Sequence, residues 1–97
     1  MKQVDFKKLE SDLAANDKQA IKQTLVEFFS SELTPEERGA ILVNFTLVYA
    51  RMKNQIQEQY LEMLNEALED LKTVNELERA AGEEVDLEAV RKKINEA

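Results

Sequence analysis

The chain has 97 residues, 43% of them apolar and 34% charged, with a net charge of −7 and with no cysteine and no histidine. That length supports one domain, and the composition is that of a folded chain rather than a disordered one. Lacking Cys and His, it can form no disulfide, no thiolate metal site and no Ser-His or Cys-His catalytic pair.

The first residues, MKQVDFKKLESDL, contain no apolar core of the kind a secretory signal needs, so none is expected here. The spacing of Phe6, Leu9 and Leu13 predicts a helix over 5–15. A second helix is predicted over 17–32, with Asn16 as its N-cap and Gln19 three residues on. It carries Ile21, Leu25, Val26, Phe28, Phe29 and Leu33. Ser30 and Ser31 at its end have no neighbouring base to activate them.

The sharpest local signal is Thr34-Pro35-Glu36-Glu37. Thr34 is placed to cap, Pro35 to occupy the first helical position without losing a needed N–H, and Glu37 to close a capping box. From there no proline intervenes, and no glycine after Gly39, until Ala80-Ala81-Gly82, where Gly82 offers a left-handed stop. The reading is one long helix over 35–81; the alternative is a kink near Arg51–Gln55 that folds the rod into a monomeric four-helix bundle. A last helix over 86–96 is capped by Asp86 and stapled by Val85 and Val90.

Between Gly39 and Ala50 the long helix carries no charge. Leu42, Phe45, Tyr49 and Met52 continue into Ile56, Tyr60, Met63, Leu64, Ala67, Leu71 and Val74 as one apolar stripe, while Ile41, Val43, Leu47 and Val48 spread round the helix. A helix apolar on nearly every side is expected to be covered on nearly every side. The expected fold is therefore all-α, with four helices and one long central one, and with the bundle completed by homodimerisation. Leu42, Phe45, Tyr49, Met52, Ile56, Tyr60, Met63 and Leu64 are the expected interface.

The function this implies is that of a small acidic interaction or adaptor protein, non-enzymatic and working through helix packing and self-association. It calls for no cofactor and for no partner beyond itself or another protein. The negative charge argues against a nucleic-acid backbone, and the basic cluster Arg91, Lys92 and Lys93 suits a helix C-terminus instead. The longest uncharged run is too short to span a membrane, which leaves a cytoplasmic location as the expectation.

Two alternatives rest on carboxylates. Glu58, Glu62, Glu66 and Glu69 share one face and could present an acidic decoy to a basic partner surface. Glu66-Ala67-Leu68-Glu69 followed by Glu83-Glu84-Val85-Asp86 resembles the E-x-x-E…E-x-x-D signature of the all-α MazG-type nucleoside triphosphate pyrophosphohydrolases. That resemblance implies Glu66, Glu69, Glu83 and Asp86 as ligands of Mg²⁺, although Glu66 and Glu69 fall on the side of the helix turned away from the stripe.

Overall fold

The computed structural model describes residues 4–80 and 85–97. Among them are five α-helices and no strand: α1 (Phe6–Ala14), α2 (Lys18–Glu27), α3 (Pro35–Met52), α4 (Glu58–Ala80) and α5 (Leu87–Glu96). A single turn of 3₁₀ helix, Lys53–Gln55, joins α3 to α4. The bundle measures 37 × 24 × 21 Å.

Helix α1 starts where Asp5 accepts the Lys8 N–H at 3.0 Å. Its end differs from the expectation by one residue. Asn16 is not the cap of α2 but the left-handed residue that closes α1, with φ 55°. The Asp17 N–H reaches back to Asp12 O and the Asn16 N–H to Leu13 O, a Schellman closure with asparagine where glycine is commoner. Asp17 then caps α2 by accepting from Ala20 N–H. Replacing Asn16 with alanine is expected to cost about 1 kcal/mol, since an alanine Cβ crowds the following carbonyl in the left-handed region. Asn16→Gly should stay near wild type, and urea midpoints of the two variants check the difference.

Helix α2 ends at Glu27 rather than near residue 32. Residues 28–33 form turns whose outward carbonyls are taken up by a side chain from α3. The Thr34 capping box forms as expected: Glu37 N–H donates to Thr34 Oγ1 at 3.1 Å, and Thr34 N–H to Glu37 Oε1 at 2.9 Å.

The expected single helix over 35–81 is two helices. Met52 has φ −106°, and Ile56 leaves the helical region altogether at φ −95°, ψ 138°. Helix α4 runs back along α3, so that Asn75 Nδ2 donates to Pro35 O at 3.1 Å. Burial explains why the rod breaks. Interrupting a helix forfeits a few backbone hydrogen bonds, each worth about 1 kcal/mol net. Straight continuation would leave Met63, Leu64, Leu68, Leu71 and Val74 in water, and covering each is worth about 1.5–3 kcal/mol. All five are buried in the folded chain. The Tyr60 hydroxyl, donating to Asn16 O at 3.3 Å, ties the start of α4 to the α1–α2 turn.

At the end of α4 the expected stop at Gly82 falls outside the described residues. Asp86 caps α5 through the Ala89 N–H at 3.1 Å, with Val85 and Val90 both half-buried against the core. Lys22, itself buried, crosses from α2 to donate to Asn95 O at 2.9 Å, placing a cation on the carbonyl end of α5.

Candidate interaction surface

Arg38 holds the frame on which α3 stands. It lies one turn into the helix, on the same face as Phe45, and is 1% exposed. Its five N–H groups all have acceptors. Nη1 donates to Phe28 O at 2.9 Å and Ser30 O at 3.0 Å, and Nη2 donates to Leu33 O at 3.2 Å and Glu78 Oε2 at 3.1 Å. Nε completes a bidentate pair with Glu78 Oε1 at 2.8 Å. One side chain thus gathers the carbonyls after α2 and fastens α3 to α4. Arg38 is not among the residues that the sequence pattern singles out. A signal was present, because a cation on the stripe that holds Ile41, Leu42 and Phe45 can be buried only where acceptors surround it.

Opposite that stripe, α3 turns an uncharged face outward. Val43 is 60% exposed and Leu47 58%, and Ala40, Asn44, Thr46 and Ala50 are exposed beside them. The chain's own helices therefore cover one side of α3 and not the whole of it. Ile41, Phe45, Val48 and Met52 face the core, while the other flank is left to solvent. Glu36 is exposed at the N-terminal end of the face and Arg51 at the other, where Arg51 also pairs with Glu10 of α1. Leu77 on α4, 41% exposed, is the remaining large apolar side chain in water among the described residues.

The chain's own helices already bury most of the residues expected to meet a second copy. Phe45, Met52, Ile56, Tyr60, Met63 and Leu64 belong to the core, with Leu42 and Tyr49 half-buried against it. The stripe runs through both halves of a folded hairpin, not along an exposed rod. Intramolecular packing therefore covers most of this stripe within the single chain.

The acidic row is divided. Glu58 and Glu62 are exposed. Glu66 and Asp70 hold Lys93 of α5 at 3.0 and 2.9 Å, and Glu69 lies 3.5 Å from Lys72. Those hydrogen bonds to Asp70 and Glu66 push the Lys93 ammonium above its usual range. Part of the charge offered to a basic partner is thus spent fastening α5 to α4. Three of the four carboxylates in the MazG-type resemblance are described. Glu66 is bonded to Lys93, the Asp86 carboxylate caps α5, and Glu83 lies outside the described residues. Among the described residues no three carboxylates stand together as a metal site. No described helix is long and apolar enough to cross a membrane.

A cleft of about 210 Å³ between α2 and α4 is lined by Lys18, Tyr60, Glu62, Met63 and Glu66. It holds charges of both signs and a tyrosine hydroxyl bonded to Asn16 O. Among the described residues, the molecule is a small helical bundle in which α3 turns an apolar, uncharged face outward. Comparison with protein-family models, curated proteins and solved structures found no match to this chain.

Proposed function

We propose that the protein is a non-enzymatic helical interaction module whose docking element is the outer face of α3. The observation that carries this reading is the exposure of Val43 and Leu47 at the centre of a face that is charge-free from Gly39 to Ala50. On a chain with one charged residue in three, three turns of helix without charge on the solvent side are costly to keep in water and suit an apolar contact. Arg38 and the capping box hold the N-terminal end of the helix, so the face is pre-organised and little ordering entropy is lost when it docks. Self-association falls within this reading, with the meeting face moved from the central stripe to the outer side of α3.

The absence of native cysteine gives a direct test. A solvent-sensitive fluorophore is attached at Asn44→Cys, on the edge of the face, and in a control at Gln23→Cys, exposed on α2. Titration with amphipathic helical peptides and with unlabelled chain should shift the emission to the blue at position 44 and leave position 23 unchanged. Leu47→Glu should remove the shift. Emission at 44 that responds to neither titrant would end the reading.

A further inference from the structure

We infer that the occupant of the α3 face is a second copy of this chain, packed antiparallel about a two-fold axis near the level of Phe45. The inference rests on the reading of that face as a docking surface and adds the partner and its direction.

Three features of α3 point the same way. The apolar positions Ala40, Val43, Leu47 and Ala50 are spaced three, four and three residues apart, so the row reads the same from either end. Antiparallel packing sets each Val43 against the other copy's Leu47 and each Ala40 against the other's Ala50. Two-fold contacts require this kind of self-complementarity. The small residues at the ends and the large ones in the middle let the two helices approach along the whole face.

The charges at the two ends choose the direction. Glu36 and Glu37 stand at the start of α3 and Arg51 at its last turn. In the antiparallel arrangement each Arg51, which also pairs with Glu10 of its own chain, comes to the same end of the contact as the other copy's exposed Glu36. The parallel arrangement would bring Glu36 to Glu36 and Arg51 to Arg51, and like charges facing each other disfavour it.

The net charge of −7 limits where two copies can meet. Identical acidic chains repel across most of their surface, and the outward face of α3 is the apolar helix face among the described residues that carries no charge. A contact of three helical turns from each copy is smaller than the roughly 1,200–2,000 Å² of a standard stable interface. The pair therefore dissociates on dilution.

Sedimentation equilibrium from about 10 µM to about 1 mM, the range of a weak interface, tests the association. The average mass should climb from 11.2 kDa toward twice that value. Leu47→Glu should shift the midpoint at least tenfold upward, with circular dichroism unchanged because the side chain is exposed. For direction, Ala40→Cys is mixed with Ala50→Cys under mild oxidation. The mixture should form a disulfide-linked dimer rapidly, and either variant alone slowly. A mass fixed at 11.2 kDa throughout, association indifferent to Leu47→Glu, or rapid cross-linking of Ala40→Cys with itself would each overturn the inference. A fixed monomer mass combined with a fluorophore at position 44 that still responds to helical peptides would remove the second copy as occupant while leaving the docking face standing.

Discussion

Replacing Arg38 with methionine is expected to destabilise the fold by about 3–5 kcal/mol, the usual cost of breaking a buried ion pair from one side. Methionine fills much of the same space, so the loss is electrostatic rather than a matter of packing. It leaves Glu78, with only 12% of its side chain exposed, without its cation, and it removes the donors from three carbonyls beyond α2. Against a total stability of about 5–15 kcal/mol for a small domain, that is a large fraction. Arg38→Lys keeps the charge but not the planar fork that serves five acceptors at once, and should fall between the two. Glu78→Gln should cost less than Arg38→Met, because the guanidinium keeps its carbonyl partners. Urea midpoints followed by circular dichroism rank the three. A methionine variant within about 1 kcal/mol of wild type would remove Arg38 from its central role.

The double variant Ile56→Glu, Met63→Glu is expected to unfold the chain, not merely to separate two copies of it. Both side chains are buried within the single chain, and the loss of their burial amounts to about 3–6 kcal/mol before any cost of placing carboxylates there. Thermal melts at concentrations where the wild type is monomeric give the answer. A variant that melts like wild type but has lost only its association would restore the stripe as a surface between copies.

What the sequence could reveal follows from the range of each interaction. Thr34-Pro35-Glu36-Glu37 and Asp86 were legible because capping is settled within three residues. The expected cap at Asn16 missed by one position, since Asn16 and Asp17 can each cap and only the backbone at φ 55° shows which one closes α1. The break between α3 and α4 could be placed near Arg51–Gln55 but not chosen over a straight helix, because Lys53, Asn54 and Gln55 include no glycine or proline. Arg38 is marked in the sequence only as a cation on an apolar stripe; its acceptors lie at Phe28, Ser30, Leu33 and Glu78, and nothing in its immediate neighbours announces which they are. The uncharged run of α3 was visible throughout. Periodicity cannot tell an apolar flank that the chain's own helices cover from one that they leave displayed.

The 3₁₀ turn at Lys53–Gln55 also bears on how the molecule comes into being. Its residues are compatible with helix, so the reversal is imposed by groups farther along, chiefly the buried side chains of α4 from Leu64 to Val74. A chain lengthening from its N-terminus completes α3 before any of these exist, and until they appear nothing local instructs it to turn back. The decision between a rod and a hairpin is thus deferred until most of the protein has been made. It is then taken by hydrophobic contacts that arrive together, not by a turn written at the place where the chain bends.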